Sequence, residues 1–110
     1  MATISQQAIT LAREYLAIVG SKVHIEKALV FGSVARGTAS KDSDIDLVIL
    51  SEDFKSMELK DRLIMLSRLR GNKFISWPMD ILGYTTKEFE KLSKISPLFK
   101  DVKKEAIIIQ

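Results

Sequence analysis

The stretch FGSVARGTASKDSDIDLVIL, Phe31 to Leu50, joins a Gly-Ser turn to three closely spaced aspartates and an apolar run. Its end, Asp44 to Leu50, reads as a strand that is apolar from Ile45 onward except at Asp46. Such a run suits a central strand covered on both faces. Just before the turn, Lys27–Phe31 (KALVF) is short and apolar and stops at Gly32, which reads as the preceding strand. The aspartates Asp42, Asp44 and Asp46 therefore sit at the mouth of the most apolar part of the chain. Like charges that close repel one another, so the arrangement costs stability unless an opposite charge offsets it.

Outward from this pair of strands the pattern turns helical. Toward the N-terminus, Ile9, Ala12, Leu16 and Val19 recur at helical spacing over about residues 5–19, with Gly20 as a stop. Toward the C-terminus, Leu59, Leu63, Leu66 and Leu69 repeat at steps of four and three and end at Gly71, which predicts a second helix. Met79–Tyr84 (MDILGY) reads as a third strand, with Pro78 at its start, where a missing N–H is tolerated. Thr85 and Glu88 have the spacing of a capping box for a helix to about Ser93. Ser96-Pro97 places an N-cap before a proline at the first helical position and opens another helix to about Glu105. The terminal AIII reads equally as a last strand or as the buried end of that helix. The order is α-β-β-α-β-α-α with a tail, a small α/β domain.

A chain of 110 residues suffices for one domain over residues 1–110 and is too short for two. With 46% hydrophobic and 28% charged residues it reads as globular, not disordered. The absence of cysteine excludes disulfides and thiolate metal sites, and a single histidine makes a zinc site unpromising. No apolar run approaches the roughly 20 residues that span a bilayer. The N-terminus lacks a basic segment followed by an apolar one, so a cytoplasmic location is expected. The net charge of +3 fits a phosphate-bearing partner only weakly. Lys87, Lys91, Lys94, Lys100, Lys103 and Lys104 recur at helical spacing and read as a solvated face.

The aspartates carry the chemistry. Side chains alternate along a strand, so Asp44 and Asp46 are expected on one side, two carboxylates apart by one residue. Hard cations such as Mg²⁺ take oxygen ligands and pair carboxylates with substrate phosphates. Two such cations clamp the attacking and leaving oxygens of an in-line phosphoryl displacement. The turn fits the same chemistry: Gly32 permits a close approach, Ser33 offers a hydroxyl, and successive N–H groups cradle phosphate. The sequence GTASK lacks the ending of a P-loop, and no dinucleotide-binding glycine pattern occurs.

Gly32-Ser33, Arg36-Gly37 and Ser43-Asp44-Ile45-Asp46-Leu47 together resemble the motif of the DNA polymerase β-type nucleotidyltransferase superfamily, closest to its minimal nucleotidyltransferase branch. That branch includes the antitoxins of HEPN–MNT toxin–antitoxin pairs, and kanamycin nucleotidyltransferase is a larger relative. The resemblance implies an α+β fold, a mixed central sheet flanked by helices. It implies that Gly32 and Ser33 hold a nucleoside triphosphate and that Asp44 and Asp46 bind two Mg²⁺ ions. It also calls for a third carboxylate on a later strand, for which Asp80 is the candidate, sharing the catalytic metal and helping to deprotonate the acceptor. The larger relatives add a helical domain that grips base and acceptor, and no segment here matches it.

Other residues have blander readings. Asp42 is expected in a turn. Arg36 either faces the phosphates or pairs with a local aspartate. His24 is expected at the surface, and Trp77, Tyr84 and Tyr15 are expected to pack. The leading expectation is transfer of a nucleoside monophosphate, AMP from ATP, to a hydroxyl, with a tyrosine of a HEPN toxin as the acceptor the resemblance implies. Rival readings are a non-catalytic antitoxin that masks its partner, with Ile107–Ile109 as a candidate contact, and an enzyme acting on an aminoglycoside-like small molecule. Nucleic acid is not expected as a partner; an oligomer is compatible with the chain.

Overall fold

The strands β1 (Lys27–Phe31) and β2 (Ile45–Leu50) pair antiparallel, with Phe31 opposite Asp46 and Lys27 opposite Leu50. The strand β3 (Met79–Tyr84) runs parallel to β2, and the two-residue β4 (Ile107–Ile108) runs antiparallel to β1. The resulting mixed sheet has the order β3-β2-β1-β4. A computed structural model of the chain describes residues 2–72 and 77–110.

Alternation along β2 divides the core in two. Ile45, Leu47 and Ile49 face a cluster that includes Ala12, Leu16, Val34, Phe54 and Leu66. Val48 and Leu50 face the other side, with Leu29, Phe89 and Val102. Both faces of β2 are thus covered, as its near-continuous apolar run requires, and each fully buried aliphatic side chain contributes about 1.5–3 kcal/mol. Asp46 shares the parity of Val48 and Leu50, so it lies on the second face, at the open end of the strand.

The first face is covered by α1 (Ile4–Val19), which buries Ala8, Ala12, Tyr15, Leu16 and Val19. This helix starts at Ile4, one residue ahead of the expected start, because Thr3 and Gln6 form a reciprocal capping box. Tyr15 packs as expected, and its hydroxyl donates to the Leu66 carbonyl at 2.8 Å. The helix α3 (Leu59–Arg70) departs from its leucine repeat: Leu66 is buried, but Leu59 and Leu63 are exposed. Arg62, 3% exposed, takes the inward position instead. Its guanidinium donates to the carbonyls of Met57 and Gly83, pairs bidentately with Glu88 and lies over the Phe54 ring. A buried cation is tolerated here because every side of it is satisfied.

The second face carries α4 (Thr86–Ile95) and α5 (Pro97–Glu105). Both begin as the sequence predicts, α4 with a Thr85–Glu88 capping box and α5 with Ser96 capping ahead of Pro97. Phe99 packs edge-on against both Tyr84 and Phe89. The six lysines of this region are exposed, as expected of a solvated face. The tail resolves as a strand, since Ala106 ends α5 in an extended conformation and the chain returns to β1.

Three local features complete the fold. Gly32 and Ser33 open a one-turn helix, α2 (Gly32–Arg36), for which the spacing between Ser33 and Asp44 leaves room. A 3₁₀ turn at Glu52–Ser56 buries Phe54. Finally, β2 begins at Ile45, so Asp44 lies one residue ahead of the strand.

Candidate active site

Gly32 leaves β1 at φ +71°, a conformation available to glycine at little cost, and swings the chain into α2. Gly37, at φ +75°, closes α2 in the left-handed region, and the Thr38 N–H donates back to the Ser33 carbonyl at 3.0 Å. The connection then tightens around two serines. Ser43 Oγ accepts the Ser40 N–H at 2.8 Å, and the Asp42 N–H donates to Ser40 Oγ at 3.3 Å. Asp42 is exposed in this turn, as expected. Trp77 pins the next position, its indole N–H donating to the Ser43 carbonyl at 2.8 Å. The Ile45 N–H donates to the Pro78 carbonyl at 2.9 Å, so the residues on either side of Asp44 are both tied to the segment that leads into β3.

Parallel pairing of β2 and β3 sets Asp46 opposite Asp80. Asp46 is half-buried, whereas Asp44 and Asp80 are exposed. Burial pushes the Asp46 carboxyl up to about 6, and the charges of Asp80 and Asp44 and a hydrogen bond with Asp80 act in the same direction. The Arg36 guanidinium opposes them. Like charges brought this close repel, and a cation between them would relieve the repulsion.

The donor set fits a hard divalent cation. Asp44, Asp46 and Asp80 supply carboxylate oxygens, Ser33 supplies a hydroxyl, and no sulfur or imidazole lies among them. Asp46 and Asp80 are brought together and Asp44 acts on Asp46 through its charge. Among the described residues, however, no three carboxylates converge into a ready-made ligand cluster. The expectation that Asp44 and Asp46 would both project from the strand holds only for Asp46, because pairing with β1 starts at the Phe31–Asp46 partnership and leaves Asp44 outside the ladder.

Arg36 forms its ion pair not with a local aspartate but with a distant glutamate, while its charge still acts on Asp46. It pairs with Glu105, the last residue of α5, at 3.1 Å, and the same Glu105 Oε1 accepts the Gly32 N–H at 3.3 Å. Beside this contact lies a cavity of about 340 Å³ lined by Arg36, Leu98, Asp101, Lys104 and Glu105. No local signal in the sequence could have found Glu105, which is 73 positions from Gly32. A larger cavity of about 400 Å³, between Lys22 and α3, shares none of these residues, so chemistry and not concavity marks the site. Of the remaining candidates, His24 is exposed, and Trp77 and Tyr84 pack against the core.

The model of the family described as "Nucleotidyltransferase domain" matches residues 12–109, and the chain belongs to that family. Among solved structures, one of a proposed nucleotidyltransferase from Sulfolobus solfataricus is 27% identical, with a TM-score of 0.66 over 94% of this chain and 80% of the other. A second, of a proposed minimal nucleotidyltransferase, is 28% identical, with a TM-score of 0.57 over 91% of this chain and 93% of the other. None of the curated proteins matches this chain. The small mixed α+β architecture is thus that of nucleotidyltransferase structures.

Proposed function

We propose that the chain is a minimal nucleotidyltransferase that, with Mg²⁺, transfers a nucleoside monophosphate from a triphosphate, ATP first among them, to a hydroxyl acceptor. The observation that carries this reading is the pairing of Asp46 with Asp80 directly beside Gly32, the start of the Gly-Ser helix. Asp44, Asp46 and Asp80 would hold the two ions, which when bound would neutralise phosphate charge and stabilise the attacking and leaving oxygens. Gly32 and Ser33 hold the triphosphate through backbone N–H groups and the hydroxyl. Asp80 accepts the proton of the acceptor hydroxyl as its oxygen forms a bond to the α-phosphorus. The bond from that phosphorus to the bridging oxygen breaks, and pyrophosphate leaves with the electron pair.

By resemblance, the acceptor is a tyrosine hydroxyl of a HEPN-type partner, and the chain is the antitoxin of the pair, acting in the cytoplasm as one domain over residues 1–110. No helix among the described residues is long and apolar enough to cross a membrane. A second reading, neutralisation by masking, draws support from the exposed apolar residues Ile95, Leu98, Ile107 and Ile108. Incubation with Mg²⁺ and ATP labelled at the α-phosphate, with and without a HEPN-type partner protein, tests both. Label on the partner that is lost in Asp44→Asn/Asp46→Asn supports transfer. A stable, neutralised complex without label supports masking.

A further inference from the structure

The turn proposed to bind phosphate already holds a carboxylate. Glu105 Oε1 accepts both the Gly32 N–H, at 3.3 Å, and Arg36 Nη1, at 3.1 Å. These are one backbone donor and one cation, the combination that recognises a phosphate oxygen. Glu105 comes from the opposite end of the chain, and the contact between α2 and α5 places it there. Its partners, in turn, are the residues at the start and end of the helix that the nucleotide reading assigns to the triphosphate.

We infer that Glu105 is an internal competitor for nucleotide phosphate: its carboxylate occupies the Gly32–Arg36 anion position and must leave it when the triphosphate binds. The inference rests on the proposed nucleotide reading of that turn. The geometry suits reversible displacement. Arg36 and Glu105 are 53% and 32% exposed, and ion pairs of such exposure are weak and easily exchanged. Glu105 is also the final residue of α5, followed directly by Ala106 in an extended conformation, so its side chain can swing out without disturbing the helix. Once released, Arg36 is free to turn its guanidinium toward the incoming phosphates, and the carboxylate charge is withdrawn from them. The contact therefore sets affinity and discriminates in favour of ligands with enough phosphate charge to displace a carboxylate.

The test is calorimetric titration of MgATP into the full chain, the Glu105→Gln variant and an Asp101→Asn control. The Glu105→Gln change keeps the size and an acceptor oxygen but removes the charge. Asp101 lines the same cavity, so its neutralisation reports the general electrostatic effect alone. Neutralising Glu105 is expected to tighten MgATP binding about three- to tenfold, the difference between a charge-assisted and a neutral hydrogen bond. The Asp101→Asn variant is expected to change it less than about twofold, as befits a solvated charge. The Gly32 amide resonance, followed by NMR, should shift on Glu105→Gln and again as MgATP is added. Equal or weaker binding by Glu105→Gln, or an equal gain in the control, overturns the inference and leaves the nucleotide reading standing. A Gly32 resonance indifferent to the substitution overturns it as well, whatever the affinity. Absence of MgATP binding in all three proteins overturns the nucleotide reading, and the inference with it.

Discussion

A β-carbon on Gly32 would overlap the carboxylate of Asp46. The residue that turns the chain out of β1 and the aspartate at the start of the neighbouring strand therefore share one small space, and glycine is what lets them do so. The contact joins the two halves of the motif, which lie 14 positions apart in sequence, into one site.

Substitution of Gly32 by alanine meets two penalties at once, the left-handed φ of +71° and the Asp46 carboxylate. The expected loss is about 1–3 kcal/mol of stability, together with displacement of Asp46 and loss of nucleotidyl transfer. Thermal unfolding and the α-phosphate label assay measure the two effects separately. A variant that melts and transfers label like the parent would refute the shared-space argument.

Replacing Asp46 by Asn should stabilise the metal-free protein while destroying the site. The carboxyl is pushed up to about 6 from an ordinary 3.8. At about 1.4 kcal/mol per unit, discounted for partial exposure, removing the charge gains about 1 kcal/mol near neutral pH. The melting temperature should rise by several degrees for a chain of this size. Addition of Mg²⁺ should stabilise the parent and not the variant. A lower melting temperature for the metal-free variant would show that Asp46 is a structural acceptor and not a repelled charge.

The Arg62–Glu88 pair gives the fold an acid-sensitive joint. Arg62 holds the Glu88 carboxyl below its ordinary 4.5, foremost through their hydrogen bonds; burial, the next largest influence, acts the other way, and hydrogen bonds from Thr85 add to the lowering. A lowered carboxyl stabilises the fold above its unfolded value, and that contribution disappears as pH falls through the folded one. Glu88→Gln should therefore cost about 1–2 kcal/mol near pH 7, limited by the solvent exposure of Glu88, and nothing once acid has protonated the parent. Unfolding curves for both proteins across the acid range check this. A gap between them that does not narrow below pH 4.5 would contradict it.

Trp77→Phe keeps the packing and removes the indole N–H that holds the Ser43 carbonyl. The expected cost is about 0.5–1.5 kcal/mol, with a disproportionate fall in transfer because Ser43 directly precedes Asp44. Comparing the melting temperature with the rate of label transfer decides the matter. Proportionate losses would make Trp77 a packing residue alone.

Much of this molecule is legible one segment at a time. The lengths of β1 and β3, the Thr85–Glu88 box and the Ser96-Pro97 start are all governed by residues within a few positions of one another. The leucine repeat of α3 misleads because spacing cannot say that Arg62, with Glu88, Gly83 and Met57 around it, is a better tenant of the inward face than Leu59 or Leu63. The start of β2 is likewise a tertiary matter, set by where the partners on β1 and β3 run out, and that leaves Asp44 outside the ladder.

The grouping of Gly32, Ser33, Asp44 and Asp46 into one motif was legible in the chain through its family resemblance, and the apolar run alone indicates that a strand buried on both faces carries Asp46. The second reading follows from short-range alternation. That Asp80 faces Asp46 and that Glu105 reaches Gly32 and Arg36 emerges only from the folded chain. Those partners lie 34 and 73 or 69 positions away along the chain. At that distance, strand register and the docking of α5 against α2 set who meets whom, and no local spacing encodes either.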